Sequence, residues 1–332
     1  MEQRALGTSG LEAAAIGLGC MGMSEFYGTP DEVEAIRTVH RALELGVTLI
    51  DTADMYGRGA NELLVGRALA GRREQAIVAT KFGILRGDDG SHQGFSGRPE
   101  YVKSACEASL RRLGIDVIDL YQLHRVDPAT PIEDTVAAMS ELVREGKARF
   151  LGLSEARPED IRRAAAVAPI ETLQNEYSLF ERGVEDQVLG VCEELGIGLL
   201  AYAPLGRGML TGGYRSRTEL EGGDWRLGSP RWESGNLERN LELVRRVEEL
   251  AQEREVTSGQ LALAWLLAQR PWIVPIPGTR RLSHLEENVA AAEIELTAAD
   301  VTRLTRAVPR AEVAGDRYPP ERMPGWVSPR RG

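Results

Sequence analysis

The sequence predicts an α/β fold that consists of a single (β/α)8 TIM barrel. Short apolar runs alternate with helix-like segments along the chain, and eight such strand-then-helix units indicate a parallel barrel. A length of 332 residues suits one barrel of this kind. We therefore expect one domain over residues 1–332, in which residues 307–332 form an irregular, proline-rich tail.

The eight strands are predicted from short apolar runs that end at polar or turn-forming residues. They cover residues 15–18, 48–51, 76–80, 117–124, 148–154, 171–176, 197–203 and 272–275. The outer helices are predicted over residues 31–45, 61–69, 100–113, 131–145, from 158 onward, 184–195 and 283–292. Two extra helices, over residues 237–254 and 258–269, precede the last strand.

Three connecting segments complete the predicted barrel. Residues 6–13 are expected to form a β-hairpin around Thr8-Ser9-Gly10 that plugs the N-terminal end. Residues 205–235 are expected to be irregular, and the polar, Gly-rich loop 83–98 is expected to be mobile.

A doubly wound open sheet is the alternative fold. Gly17, Gly19 and Gly22 match the spacing of a dinucleotide-binding loop after the first strand. No helix follows this loop directly, and no acidic residue stands where a ribose would need one. The barrel is therefore the stronger prediction.

Composition excludes several classes of function. The 50 acidic residues outnumber the 40 Lys and Arg, and the net charge of −10 is unsuited to nucleic-acid binding. No apolar run is long enough for a membrane span, and no signal peptide is recognisable. The three cysteines fit neither a disulfide framework nor a zinc site, so we expect a cytoplasmic protein without a metal.

Four polar residues occupy the strand ends at which a barrel carries its chemistry. Asp51 ends the second strand, Tyr56 follows it, Lys81 ends the third strand and His124 ends the fourth. A phenol is a poor proton donor at neutral pH, but a nearby ammonium lowers its pKa, and a carboxylate keeps that ammonium charged. An imidazole can orient a carbonyl oxygen. Together these groups suit protonation of a developing alkoxide.

Seven segments carry a resemblance to a known family. They are Leu-Gly-Thr-Ser-Gly-Leu at 6–11, Asp-Thr-Ala-Asp-Met-Tyr-Gly at 51–57, Leu-Tyr-Gln-Leu-His-Arg at 120–125, Gly-Leu-Ser-Glu at 152–155, Gln-Asn-Glu-Tyr-Ser at 174–178, Pro-Leu-Gly-Arg-Gly at 204–208 and Ile-Pro-Gly-Thr-Arg-Arg at 276–281. Over about residues 6–306 the chain resembles the aldo-keto reductases, and within them the branch of YakC-type, pyridoxal and perakine reductases.

The resemblance implies reduction of aldehydes or ketones to alcohols by hydride transfer from NADPH, without a metal. It implies that Tyr56 is the general acid and that Lys81, paired with Asp51, lowers the pKa of the Tyr56 phenol. It also implies that His124 orients the carbonyl. It also implies a set of cofactor-binding positions. They are Gly22, Met23, Asp51, Ser154, Glu155, Gln174, Tyr202, Pro204, Leu205, Gly206, Arg207, Gly208, Ile276, Gly278, Thr279, Arg280, His284, Glu287 and Asn288.

Within that set, the resemblance assigns different residues to the nicotinamide, the pyrophosphate and the adenosine end of the cofactor. Ser154 and Gln174 would hold the nicotinamide carboxamide, and Tyr202 would stack on the ring. Residues 205–208 would wrap the pyrophosphate, with glycine amides and the charge of Arg207 facing its oxygens. Residues 278–288 would surround the adenosine 2′-phosphate and the adenine.

The chain departs from the family pattern at two places. Glu155 stands where Asn is common, and its carboxylate could accept from the nicotinamide amide. Gly278 and His284 stand where Lys and Arg are common around the 2′-phosphate. A preference for NADPH would then depend on Arg280 and Arg281.

Two other functions remain open at this point. A regulatory subunit that binds NADPH without catalysis, like the β subunits of potassium channels, would need an added partner-binding surface. A barrel lyase could use Lys81 as a Schiff base. The physiological substrate and the oligomeric state are not determined by the sequence.

Overall fold

A computed structural model describes residues 1–319 of the chain. In chain order, its strands are β1 (Gln3–Leu6), β2 (Leu11–Ala14), β3 (Leu18–Gly19), β4 (Leu49–Asp51), β5 (Ile77–Phe82), β6 (Ile84–Arg86), β7 (His92–Phe95), β8 (Ile118–Leu123), β9 (Ala148–Ser154), β10 (Thr172–Glu176), β11 (Gly198–Tyr202) and β12 (Ile273–Pro275). Its helices are α1 (Glu32–Glu44), α2 (Ala60–Leu69), α3 (Pro99–Leu113), α4 (Ile132–Arg144), α5 (Pro158–Ala165), α6 (Val188–Leu195), α7 (Asn236–Gln252), α8 (Ser258–Leu267), α9 (Leu282–Ala290) and α10 (Ala298–Ala307).

Eight parallel strands form the barrel wall in the order β12-β11-β10-β9-β8-β5-β4-β3. The first and last strands meet where Gly19 pairs with Gly278 in a parallel bridge and the Gly17 amide donates to the Pro275 carbonyl at 3.0 Å. A Cβ on Gly19 would lie 2.9 Å from the Ile276 carbonyl oxygen, so this seam requires a residue without a side chain. The predicted barrel is confirmed, and the doubly wound alternative is wrong.

The N-terminal hairpin closes one end of the barrel as predicted. Strands β1 and β2 pair antiparallel, with Leu6 opposite Leu11. Both leucines are buried against apolar side chains from the barrel strands, which are Leu49, Ala79, Leu120, Leu200 and Val274. The chemistry must therefore occur at the opposite end, where the strands reach their carboxyl termini.

Local sequence signals set the ends of several helices. Asp31 precedes α1, and its side chain accepts from the Glu34 amide, which satisfies one free N–H of the first turn. Helix α3 begins with Pro99 and ends at Gly114, whose φ of 65° is the left-handed conformation common after a helix. These signals place the outer helices within one to four residues of their predicted starts.

The structure differs from the sequence prediction in three segments. The first barrel strand is Leu18–Gly19 rather than 15–18, because the chain reaches the β4 edge only there. Loop 83–98 contains the hairpin β6–β7, with Ile84 opposite Phe95. Helix α10, which follows a Thr297/Asp300 capping box, was not predicted. Of the predicted tail, residues 308–319 are irregular, and residues 320–332 lie outside the described part.

No helix within residues 1–319 is both long enough and apolar enough to cross a membrane.

Candidate active site

Four side chains that were predicted as catalytic meet at the carboxyl ends of neighbouring strands. Asp51 is the last residue of β4, Lys81 lies in β5, and His124 directly follows β8. Tyr56 begins a short 3-10 turn, Tyr56–Gly59, after β4. All four residues are buried. We call Asp51, Tyr56, Lys81 and His124 the tetrad.

A buried ion pair fixes one side of the tetrad. Lys81 Nζ donates to Asp51 Oδ1 at 2.5 Å and to the Thr52 carbonyl at 2.8 Å. The other carboxylate oxygen of Asp51 accepts from Gln174 Nε2 at 2.8 Å. Burial lowers the pKa of Lys81, and the charge of Asp51 opposes that effect. The ammonium is thus held at a defined position by Asp51 and Thr52, and Gln174 from across the barrel fixes the carboxylate.

Tyr56 and His124 face each other beside this ion pair. Lys81 Nζ lies 5.2 Å from the centre of the Tyr56 ring. The imidazole of His124 meets the same ring edge-on, with ring centres 5.8 Å apart. His124 Nδ1 is buried and has no hydrogen-bond partner among residues 1–319. A phenol, an imidazole and an ammonium therefore share one small volume at the barrel mouth.

The environment keeps both rings uncharged at neutral pH. Burial and then the charge of Asp51 raise the pKa of Tyr56 well above its ordinary value, and Arg125 opposes them. This differs from the expected lowering by Lys81, whose charge is compensated by Asp51. Burial, followed by the charges of Arg125 and Lys81, lowers the pKa of His124 well below its ordinary value. Tyr56 thus carries a proton, and His124 is a neutral imidazole.

Ser154 and Gln174 lie side by side, because the β9–β10 register pairs them. Ser154 Oγ accepts from Arg125 Nη1 at 3.1 Å, and the Gln174 amide nitrogen donates to Asp51. Both residues are buried. The Ser154 hydroxyl proton and the Gln174 amide oxygen have no partner among residues 1–319, so each residue retains a polar atom for a carboxamide.

Glu155 turns its carboxylate toward the C-terminal segment. Arg317 donates two hydrogen bonds to it, at 2.7 and 2.6 Å, and the Tyr202 hydroxyl and the Glu176 amide donate to Oε1 at 2.9 and 3.0 Å. Burial raises the pKa of Glu155, but the charge and hydrogen bonds of Arg317, the charge of Arg125 and the Glu176 amide together outweigh burial, and the net pKa is about 2. The carboxylate that was expected to accept from the cofactor is thus already bonded within the protein.

Tyr202, the predicted stacking ring, ends β11 and is tied to the same segment. Its hydroxyl lies 3.1 Å from the hydroxyl of Tyr318, in addition to its bond to Glu155. Arg207 packs over the rings of Tyr318 and Trp225, with its guanidinium carbon 5.0 and 4.4 Å from the ring centres. We call Glu155, Tyr202, Arg207, Arg317 and Tyr318 the rim.

The loop predicted to wrap a pyrophosphate, residues 204–208, has an unusual backbone. Gly206, Arg207 and Gly208 have φ of 56°, 58° and 90°, in the left-handed region that favours glycine. The amides of Gly206 and Gly208 donate within the loop, to Ala203 and Leu205. Arg207 Nη2 donates to Glu176 at 2.9 Å, so part of the charge of this side chain is already neutralised within the protein.

The segment predicted to bind the adenosine end joins β12 to α9. Arg280 and Arg281 line an open surface pocket together with other residues of the α1 and α9 starts, which are Thr29, Asp31, Glu34, Leu282 and Ser283. The guanidinium of Arg280 donates to the Thr29 carbonyl. Two arginines beside a helix N-terminus form an arrangement that suits a phosphate.

The remaining predicted cofactor positions lie around this path. Ile276, Thr279 and Asn288 are buried, and Gly278 forms the barrel seam. Glu287 on α9 accepts from the Thr257 hydroxyl at 2.6 Å, and His284 lies one turn earlier on the same helix. Gly22 and Met23 form a short turn after β3, in which a Cβ on Gly22 would lie 3.2 Å from the Tyr27 ring.

The sequence predicts that the tail helps to build the substrate pocket, but it did not single out Arg317 and Tyr318. Gly315 packs on the backbone of Pro230, where a Cβ would lie 2.7 Å from the carbonyl carbon, and Asn240 bonds both the amide and the carbonyl of Ala314. These contacts bring Arg317 and Tyr318 to the barrel mouth. The segment has no periodic pattern, and the pairing of Arg317 with Glu155 spans 162 positions. Only the unexpected carboxylate at 155 hinted at a cationic partner.

Within residues 1–319, no group of His, Cys, Asp and Glu is arranged to hold a metal ion.

Comparison with known proteins agrees with this geometry. The model of the aldo/keto reductase family matches residues 15–309. A probable aldo-keto reductase 1 of Glycine max is 44% identical over 94% of this chain and 90% of its own length. The aldo-keto reductase yakc of Schizosaccharomyces pombe, whose name includes NADP(+), is 45% identical over 92% of each chain.

Solved structures give the same result. A glycerol dehydrogenase of Gluconobacter oxydans superimposes with a TM-score of 0.84 at 32% identity, over 92% of this chain and 94% of that one. An aldo-keto reductase of Bacillus halodurans in its holo form gives 0.77 at 32% identity, over 93% and 97%. The chain belongs to the aldo/keto reductase family. It is accordingly an NADP-dependent oxidoreductase.

Proposed function

We propose that the protein reduces an aldehyde or a ketone to an alcohol with NADPH, and that Tyr56 supplies the proton. The observation that carries this proposal is the tetrad, in which a protonated phenol lies beside a neutral imidazole and a paired ammonium. A small alcohol or carbonyl compound as substrate agrees with the names of the relatives, which include a glycerol dehydrogenase.

The residues present fit an extended NADPH. Arg280 and Arg281 suit the 2′-phosphate at the start of α9, and the Tyr202 ring at the end of β11 suits the nicotinamide. Buried polar atoms without partners among residues 1–319, such as Trp225 Nε1 and His124 Nδ1, lie in the mouth between these places. When bound, NADPH supplies a hydride to the carbonyl carbon.

The protein's own groups then manage the carbonyl oxygen. His124 is neutral and can donate a hydrogen bond to that oxygen, which orients it toward Tyr56. The Tyr56 hydroxyl gives its proton to the oxygen as negative charge develops there. Lys81 lies 5.2 Å from the ring, and its charge, which Asp51 compensates, acts together with that of Arg125 on the phenolate that is left. Carbon gains the hydride and oxygen gains the proton, so the product is an alcohol.

Three further expectations belong to this proposal. All three cysteines are buried and unpaired, which supports location in a reducing cytoplasm. A Schiff base at Lys81 is disfavoured because its amine is buried and bonded to both Asp51 and Thr52. We also propose that residues 1–332 form one domain.

The cofactor assignment is tested by fluorescence titration of the wild type and of Arg280→Ala with NADPH and with NADH. We expect NADPH to bind more tightly to the wild type, and Arg280→Ala to weaken NADPH by about 10-fold with little change for NADH. Arg303→Ala, which removes an exposed arginine on α10, is the matched control. Equal losses for both cofactors would remove Arg280 from the 2′-phosphate site, and no binding of either would contradict the proposed function.

A further inference from the structure

Arg125 differs from the other arginines of the barrel mouth in what it contacts. Four of them form ion pairs with a carboxylate, and these pairs are Arg207 with Glu176 at 2.9 Å, Arg226 with Asp224 at 2.7 Å, Arg231 with Glu181 at 2.6 Å and Arg317 with Glu155 at 2.6 Å. Arg125 has no carboxylate within ion-pair distance among residues 1–319; its partners are the His124 carbonyl and Ser154 Oγ. Within the described residues, its positive charge is therefore not neutralised by a direct contact with a carboxylate.

The donors of Arg125 are only partly used. Nη1 makes both of its bonds, at 2.6 Å to His124 and at 3.1 Å to Ser154. Nε and Nη2 have no hydrogen-bond partner among residues 1–319, and neither atom is completely buried from solvent. The guanidinium is half-buried, and the N–H groups of Nε and Nη2 are unbonded within residues 1–319, in the planar geometry that binds carboxylates and phosphates.

The position of Arg125 is next to the expected reacting carbonyl. One of its contacts is to the residue that would orient the carbonyl, and the other is to the residue that would hold the carboxamide. Its charge also acts on the protonation of Tyr56 and of His124. The phosphates of NADPH are expected elsewhere, at residues 204–208 and at Arg280. An anion at Arg125 would therefore belong to the substrate.

We propose that Arg125 binds a negatively charged group of the substrate, so that the preferred substrates are aldehydes or ketones that carry a carboxylate or a phosphate. Glu155, whose charge acts on Arg125, is itself paired with Arg317. An incoming anion therefore meets a net positive charge beside the tetrad. This proposal rests on the proposed carbonyl reduction and adds the class of substrate to it.

The test compares pairs of related substrates, one member charged and the other neutral. The pairs are 4-carboxybenzaldehyde with methyl 4-formylbenzoate, pyruvate with methyl pyruvate, and glyceraldehyde 3-phosphate with glyceraldehyde. Each is assayed with NADPH on the wild type, Arg125→Leu and Arg125→Lys, and kcat/KM is measured. Arg162→Leu, which loses the same charge on the outer helix α5, is the control for long-range attraction.

We expect the wild type to favour the charged member of at least one pair. Arg125→Leu should lower the charged-to-neutral ratio of kcat/KM by about 10- to 100-fold, mainly through KM, and Arg125→Lys should restore part of it. Arg162→Leu should leave the ratio unchanged. Comparison of the ratio for the two carboxylate pairs with the ratio for the phosphate pair shows whether a carboxylate or a phosphate is bound.

Three results would overturn the proposal. Equal preference for charged and neutral members in the wild type would mean that no anion is bound. An equal loss for both members in Arg125→Leu would mean that Arg125 acts through Ser154 or the carbonyl oxygen. The same ratio change in Arg162→Leu would assign the preference to the overall field. Turnover of the neutral aldehydes remains the separate measure of the proposed carbonyl reduction.

Discussion

The tetrad and the rim bury charge at the same end of the barrel, but by different means. In the tetrad, Asp51 and Lys81 come from the adjacent strands β4 and β5, whose register brings them together. In the rim, Glu155 and Arg317 are 162 positions apart and meet only when the C-terminal segment is seated. The tetrad is thus preorganised by the sheet, whereas the rim depends on a long-range closure that the sheet does not impose.

The largest effect is expected from a change inside the tetrad. Tyr56→Phe removes the proton donor and leaves the ring, so aldehyde reduction should fall by about 10²- to 10⁴-fold. NADPH binding, measured by fluorescence, should be nearly unchanged. Tyr214→Phe removes a phenol that contacts Arg226 and should keep its activity. Turnover of Tyr56→Phe near the wild-type rate would contradict the assignment of the donor.

A change in the rim should affect stability before it affects chemistry. Glu155→Gln leaves Arg317 buried without its carboxylate, and we expect it to lower the free energy of unfolding by about 3 kcal/mol at pH 7. The double variant Glu155→Gln/Arg317→Met should recover part of this loss, as measured by urea unfolding. If the double variant is as unstable as the single one, the pairing does not account for the loss.

The same pair sets a pH dependence whose sign follows from the pKa. Glu155 has a pKa of about 2 in the fold, below the ordinary value of a glutamate. A carboxyl group whose pKa is lower in the folded than in the unfolded protein stabilises the fold. Its full contribution is present at pH values above the unfolded-state pKa and is lost as the pH falls toward 2. The stability difference between the wild type and Glu155→Gln should therefore shrink between about pH 4.5 and pH 2.

Asp54 provides the smallest of these tests and a contrast with Asp51. It lies three residues after Asp51, yet its Oδ1 is buried without a partner among residues 1–319. Burial and then the charge of Glu62 raise its pKa to about 8. A carboxyl group whose pKa is higher in the folded than in the unfolded protein lowers stability as the pH rises from its unfolded-state pKa to its folded-state pKa. Asp54→Asn should therefore stabilise the protein by about 1 kcal/mol or more at pH 8 and by little at pH 4.

The matched control for this variant is Asp88→Asn at an exposed position, and both are measured by urea unfolding at the two pH values. Equal stability of Asp54→Asn and the wild type at pH 8 would mean that Asp54 is ionised at no cost. Asp51→Asn offers no such gain, since it would leave Lys81 buried without its carboxylate.

Much of the fold was determined by the sequence alone. Alternating apolar runs and helix-like segments predicted the eight barrel strands, and polar residues at their ends located Asp51, Lys81 and His124. These predictions succeed because strand ends are defined by local patterns, and a parallel barrel brings all carboxyl ends to one face. The hairpin β6–β7 was missed because it lacks a clear apolar alternation. Helix α10, which precedes the proline-rich tail, was missed although its Thr297/Asp300 capping box is a local signal.

Only the tertiary structure decided what surrounds the tetrad. Glu155, which the sequence placed beside the nicotinamide, is bonded to Arg317, and Arg207 is bonded to Glu176. The pKa of Tyr56 is raised because burial and Asp51 prevail, which depends on distances that no spacing encodes. Ion pairs between distant segments have no periodic signature, since one residue on each side suffices to form them. Local patterns therefore specify which residues reach the barrel mouth, and three-dimensional packing decides which charges there are neutralised and which, as at Arg125, are left for a ligand.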